Sequence, residues 1–92
     1  GLAVEVRYKK RFLKELAKLP GRTRDEVERF VFETLSAAEV IERIGTVERM
    51  QGHKGFYKVR FGAYRLGLRT DAAGYLEVVV IAHRREIYRL FP

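Results

Sequence analysis

Apolar positions along the chain change their period twice, and each change marks a new kind of element. Leu2, Val4 and Val6 alternate with Ala3, Glu5 and Arg7, a period of two that predicts a first strand. Tyr8, Phe12, Leu16 and Leu19 then recur at helical spacing, with Lys9, Lys10, Lys14 and Lys18 around the rest of the cylinder. Pro20-Gly21 predicts the stop of that helix. Thr23 and Glu26 have the spacing of a capping box for a second helix, whose buried face reads Val27, Phe30, Val31 and Leu35. So short a break, residues 20–22, makes the two helices an antiparallel hairpin. Ser36 and Glu39 offer another capping box, which predicts a helical turn over 37–44 ending at Gly45.

After Gly55 the period returns to two. Tyr57, Val59 and Phe61 alternate with Lys58, Arg60 and Gly62, and Tyr64, Leu66 and Leu68 with Arg65, Gly67 and Arg69. Gly62-Ala63 suits a two-residue hairpin loop with glycine at its first central position. Asp71-Ala72-Ala73-Gly74 predicts a second turn, and Tyr75 to His83 a last, more buried strand. Strand, two helices and then a three-stranded antiparallel meander define an α+β fold with its helices packed on one sheet face.

Ninety-two residues make one domain, 1–92, with no linker, repeat or low-complexity tract. The absence of cysteine excludes a disulfide scaffold and a thiolate metal site. Val78 to Ala82 is far too short an apolar run to cross a bilayer, and the first residues read as a strand rather than a signal peptide. A cytoplasmic protein without a membrane partner is the expectation.

Charge changes the picture more. The formal net charge is +7, unevenly spread: seven cations against two anions over residues 1–22, three against seven over 23–48, and nine against three over 49–92. An acidic middle between basic flanks predicts one cationic face, which attracts a polyanion or an acidic protein.

The hairpin locates that face. With Gly62 and Ala63 as the loop, Phe61 opposes Tyr64, Arg60 opposes Arg65 and Lys58 opposes Gly67. Alternation turns the aromatic and aliphatic side chains toward the helices and sets Lys58, Arg60 and Arg65 together on the open side. Like charges opposed across a hairpin cost up to roughly 1 kcal/mol. A phosphate between the two guanidinium groups would reverse the sign of that term. Gly67 is expected to leave open space beside Lys58. The plain alternative, solvated cations on an exposed face, leaves the repulsion uncompensated.

Arg84-Arg85 follow the last strand, where the chain can fold back over the cations, and Tyr88 lies at a distance that brings its ring beside them. An aromatic among basic residues stacks an unpaired base while the phosphate is held. Its competing role is an apolar anchor with Leu90 and Phe91. His83 is a candidate proton donor whose ordinary role at a strand end is structural, and His53 sits in an exposed loop beside Lys54. Two histidines thirty residues apart, with Glu48, Asp71 and Glu77 scattered, match no metal-ligand spacing. There is no glycine-rich phosphate loop and no nucleophile elbow. Without a metal, phosphodiester cleavage has to use the 2′-OH of RNA, activated by a base and stabilised by cations.

Met50-Gln51-Gly52, the run from Gly55 through Lys58, Arg60 and Arg65 to Leu66, and His83-Arg84-Arg85-Glu86-Ile87-Tyr88 resemble the RelE/ParE toxin superfamily over nearly the whole chain. The resemblance implies a RelE-like, microbial-RNase-like fold. RelE-type members cut mRNA in the ribosomal A site and are silenced by a cognate antitoxin; ParE-type members share the fold, poison DNA gyrase and lack the catalytic set. Carried over by position, Lys58 matches the lysine general base, Arg60 a second cation of that strand and Arg65 the phosphate-stabilising arginine. Arg84 matches the arginine near the leaving 5′-oxygen and Tyr88 the base-stacking tyrosine. Arg60 stands where the best-known pattern has lysine, and Glu48 is a loose counterpart of the glutamate base of YoeB-like toxins. A guanidinium scarcely gives up its proton, so Arg84 is read as charge stabilisation, with water or His83 supplying the proton.

The resemblance thus implies a metal-independent mRNA endonuclease without cofactor, with Lys58, Arg60, Arg65, Arg84 and Tyr88 catalytic. Lys54, Arg69, His83 and Arg85 are expected to contact RNA. Its implied partners are an antitoxin, the ribosome and mRNA, with operator DNA for the antitoxin complex. A gyrase-directed toxin and an inactive antitoxin-binding relic are the alternatives.

Overall fold

A computed structural model describes residues 4–92. Five strands form one sheet in the order β1-β5-β4-β3-β2: β1 is Val6–Tyr8, β2 Val47–Arg49, β3 Phe56–Phe61, β4 Tyr64–Thr70 and β5 Leu76–His83. The meander β3-β4-β5 is antiparallel, β2 adds antiparallel to β3, and β1 pairs parallel with β5. The mixed sheet therefore contains the four expected strands plus an edge strand, β2, that the sequence pattern does not reveal. Three residues are too few to show a period.

Helix α1 spans Lys10–Ala17 and α2 spans Gly21–Arg29; α2 runs on through a π turn, Phe30–Thr34, into a last α turn, Leu35–Ala37. Val27, Val31 and Leu35 recur every four residues, slightly more than an α-helical turn, and the wider π turn keeps all three buried. Phe12, Leu16, Val27, Phe30, Val31 and Leu35 close over Tyr57, Val59, Leu66, Leu68, Leu76, Val78 and Ile81 to make the main core.

Local readings near the helix starts need correction. The expected first strand begins at Leu2, and its residues 2 and 3 lie outside the described residues; the strand itself runs to Tyr8, a residue whose spacing with Phe12 predicts helix. The Tyr8 ring reaches the core beside Phe12, and its hydroxyl donates to the Val31 carbonyl at 2.9 Å. Thr23 does not cap α2. Proline has no N–H to lose and suits a helix start, so the helix begins at Gly21 behind Pro20, and the Arg24 N–H donates to the Pro20 carbonyl. Ser36 likewise lies inside the end of the second helix, and only Ile41–Arg43 forms a 3-10 turn within 37–44.

The β3-β4 hairpin has the expected register: Phe61 pairs with Tyr64, Arg60 with Arg65 and Lys58 with Gly67. Gly62 takes φ +58° and Ala63 stays at negative φ, the conformation that a glycine-first loop requires. Between β4 and β5 the register slips once, with Gly67 opposite Val80 and Leu68 opposite Val78, so Val79 is an extra residue. Such a bulge reverses the facing of every residue beyond it. Leu76 and Val78 face the helices, Val80 faces away, and Ile81 returns to the core.

Candidate active site

Lys58, Arg60 and Arg65 occupy the sheet face away from the helices, since their strand neighbours Tyr57, Val59 and Leu66 are buried in the main core. Lys58 and Arg65 are half-buried and Arg60 is exposed. The opposed arginines draw apart to separate partners. Arg60 Nε lies 3.6 Å from a carboxylate oxygen of Glu48 on the edge strand, while Arg65 donates to the carbonyls of Gly62 at 2.7 Å and Tyr64 at 2.9 Å. The cross-strand repulsion is thus partly offset within the fold, contrary to the expectation that it goes uncompensated.

Glu48 has its Cα opposite Lys58. A carboxylate therefore shares the cationic face, carried by a strand too short to be legible beforehand. Its only sequence signal is the apolar-charged alternation of Val47-Glu48.

Beyond β5 the Arg84 N–H donates to the Ala63 carbonyl at 2.7 Å, which ties Arg84 to the hairpin loop beside Arg65. The chain then turns into a single helical turn, Ile87–Leu90. Ile87 and Phe91 are buried in a second, smaller core with Met50 and Val80 on the open face. Tyr88 projects from this turn at 61% exposure, and Lys58 Nζ donates to its hydroxyl at 3.0 Å while lying 5.3 Å from the ring centroid. Exposed aromatic, ammonium and neighbouring guanidinium groups form a surface on which a base can stack while a phosphate is held.

Gly67 does not leave open space, as the sequence reading supposed. The Phe91 ring fills it so closely that a Cβ at residue 67 would lie 2.7 Å from ring carbon Cδ2.

The outer contact residues divide. Arg85 is exposed beside Arg84, and Lys54 lines a cleft of about 820 Å³ with Arg49, His53 and Glu42. Arg69 is not a free cation: its Nε donates to Glu77 at 2.6 Å, and Lys9 lies 3.1 Å from the other oxygen of that carboxylate. Those two hydrogen bonds hold the nearly buried Glu77 carboxyl below its ordinary range, against the opposing effect of burial. His83 lies on the wrong face. After the bulge it pairs with Tyr64 and meets that ring edge-on at 5.7 Å, and its Nδ1 accepts from the Arg85 N–H at 3.2 Å. The bulge thus places His83 on the helix side of the sheet, opposite to the face that carries Lys58, Arg60 and Arg65.

A further polar group sits at the β2 edge, where Tyr57 donates to Glu42 at 3.0 Å and Arg49 lies 3.4 Å from the same oxygen. The Glu42 backbone N–H, then the Tyr57 hydroxyl, lower the Glu42 carboxyl; burial and the adjacent carboxylate raise the Tyr57 phenol. Among the described residues no cluster of three or more His, Asp or Glu has a metal-binding arrangement. No helix of the described residues is long and apolar enough to cross a membrane.

Residues 6–88 match the family described as the ParE toxin of the type II toxin–antitoxin system, parDE. A curated relative, Toxin RelE3 of Methanocaldococcus jannaschii, is 26% identical over 89 residues, spanning 97% of this chain and all of that protein. The toxin fold also matches the RelB–RelE antitoxin–toxin complex from Methanococcus jannaschii at TM-score 0.74 and 24% identity, covering 92% of this chain and 98% of that one. A third match is the RelBE2 toxin–antitoxin complex from Mycobacterium tuberculosis, at TM-score 0.66 and 27% identity over 90% of this chain and all of its own.

Proposed function

This chain belongs to the ParE toxin family of type II toxin–antitoxin systems, and from that premise we propose that it kills or stalls the cell as a RelE-type endoribonuclease that cuts mRNA on the ribosome. The observation that carries the proposal is the contact of Lys58 Nζ with the hydroxyl of the exposed Tyr88, on the face that also bears Arg60 and Arg65. A toxin that only blocks a protein surface has no need of a base-stacking ring set against an ammonium group.

The chemistry is an intramolecular transesterification that moves the phosphoryl group of RNA from the 5′-oxygen to the adjacent 2′-oxygen. The 2′-OH loses its proton and its oxygen attacks the adjacent phosphorus; the P–O5′ bond breaks, leaving a 2′,3′-cyclic phosphate and a 5′-hydroxyl. Arg65 and Arg60 stabilise the negative charge that grows on the phosphoryl oxygens. Arg84 stabilises the leaving 5′-oxygen, which takes its proton from water. Tyr88 stacks one base and so holds the scissile linkage in line.

Two groups can accept the 2′-OH proton. Lys58 does so only as the neutral amine. Glu48 offers a carboxylate oxygen instead; its position opposite Lys58 and 3.6 Å from Arg60 places it on the same face. DNA lacks the nucleophile in either case.

The partner that silences this face is proposed to be an antitoxin segment with acidic and apolar residues, complementary to the +7 chain. Operator binding would then be a property of that complex. Primer-extension mapping of mRNA on programmed ribosomes tests the assignment. Cleavage within the A-site codon without added metal is the expected result. Intact mRNA together with loss of gyrase supercoiling would replace it with the ParE-type activity.

A further inference from the structure

Tyr88 stands on a helical turn of four residues, far below the length at which a helix holds itself in water. The turn is fixed by two anchors spaced i,i+4 on its inner side: Ile87 is 1% exposed and Phe91 2%. The Phe91 N–H closes the turn on the Ile87 carbonyl at 2.8 Å. Tyr88 lies between these anchors in sequence and outside them in space.

Phe91 has an unusual seat. A Cβ at Gly67 would lie 2.7 Å from its Cδ2 and 2.9 Å from both Cε2 and Cγ. Contacts this short cannot be relieved by bending a flexible tip, because Cγ is the root of the ring. Backbone conformation does not ask for glycine here: Gly52, Gly55, Gly62 and Gly74 take positive φ, and Gly67 does not. Space is therefore the reason for glycine at 67. That space lies directly opposite Lys58 in the β3-β4 register, so one cross-strand pair carries the seat of Phe91 on one strand and the partner of Tyr88 on the other.

We propose that Phe91, resting on Gly67, is a positioning residue that sets the Tyr88 ring against Lys58. The inference rests on the RNA-cutting reading for its consequence, since the ring so placed is the one that stacks the base, but not for its geometry. A methyl group at 67 lifts the Phe91 ring, tilts the single turn and moves Tyr88 off Lys58. The main core, on the opposite face, contains neither Gly67 nor Phe91. A displacement of about 1 Å at a reacting group costs up to about 100-fold in rate.

The test uses the full chain carrying Gly67→Ala or Phe91→Ala, each checked for a cooperative thermal transition. The direct readout is the nuclear Overhauser contact between the Tyr88 ring protons and the Lys58 side-chain methylenes. It is expected in the native protein and lost in both variants. The second readout is single-turnover cleavage of ribosome-bound mRNA, with Gly67→Ala made in the native and in the Tyr88→Ala background. About a 10-fold loss or more is expected in the first and none in the second, because the seat acts only through Tyr88. A persisting Overhauser contact in folded variants overturns the proposal, as does an equal loss in both backgrounds. If Gly67→Ala fails to fold, Phe91→Ala decides alone, since it removes the ring without adding an atom. If the native chain leaves mRNA intact, the Overhauser contact still decides the seat, and only the ribonuclease reading falls.

Discussion

On its helix side the sheet buries Tyr57, Val59, Leu66, Leu68, Leu76, Val78 and Ile81 beneath two helices, whereas on the open side the buried apolar cluster among the described residues is Met50, Val80, Ile87 and Phe91. The helix side is continuous and apolar. The open side is a small apolar patch ringed by charge, with Glu48, Lys58, Arg60 and Arg65 toward one edge and Arg69 and Glu77 toward the other. One side buries the main core of the fold; the other combines a small buried cluster with Lys58, Arg60 and Arg65, each held by a polar neighbour on or beside the sheet. The difference explains how a chain of 92 residues can leave half a sheet face charged and still bury a core.

The comparison breaks most readily on the helix side. Phe12→Ala is expected to cost about 3 to 5 kcal/mol, a large part of the total stability of a small domain, because Phe12 is fully buried. Denaturant titration measures that cost. The residual folded fraction should keep its cleavage rate per folded molecule; a fall in that intrinsic rate would mean that the two faces are not separable.

Arg65→Ala and Arg84→Ala test the converse. Each is expected to lower single-turnover cleavage by roughly 100-fold, since in the proposed mechanism each removes a cation that stabilises charge growing in the transition state. The denaturation midpoint should change little. Arg65 also donates to two hairpin carbonyls, so a variant that loses stability in place of activity would make it a turn residue alone.

Tyr88 sharpens the picture within the open face. Tyr88→Ala is expected to cost about 1 to 3 kcal/mol of transition-state binding, the usual worth of a stacked base, and Tyr88→Phe much less because the ring survives. Equal losses in the two variants would shift the weight from stacking to the hydroxyl that Lys58 touches.

The smallest effect concerns the far edge. Arg69 and Lys9 lower the Glu77 carboxyl, so its ionised form is stabilised in the folded state. That stabilisation is present above the ordinary carboxylate value of about 4.5 and is lost as the pH falls through the lower folded value. The gap in thermal midpoint between native protein and Glu77→Gln should therefore be open near pH 7 and close in acid. A gap that persists in acid would mean that the carboxyl acts by shape, not charge.

Much of the site was legible because it is local. A period of two on either side of Gly62-Ala63 fixes which residues of β3 and β4 face each other, and turn chemistry fixes the loop, so the Arg60–Arg65 opposition follows from residues within ten positions. The helix hairpin is local in the same sense. Thr23 and Ser36 have the spacing of capping boxes without capping a helix, because Pro20 and the π turn decide where the helical run starts and how it continues.

What the sequence determined by itself is thus the set of elements, the register of the central hairpin and the charge asymmetry, all consequences of periodicity and turn geometry between near neighbours. Tertiary structure alone decided that β1 pairs parallel with β5, that Glu48 arrives on a three-residue edge strand beside Lys58, and that Phe91 occupies the space over Gly67. It also decided that His83 faces the helices, since one extra residue at Val79 reverses every side chain after it. The physical reason is common to all four. Contacts between residues far apart in sequence depend on how strands are ordered and where a ladder slips, and the spacing of side chains along a single strand carries no record of either.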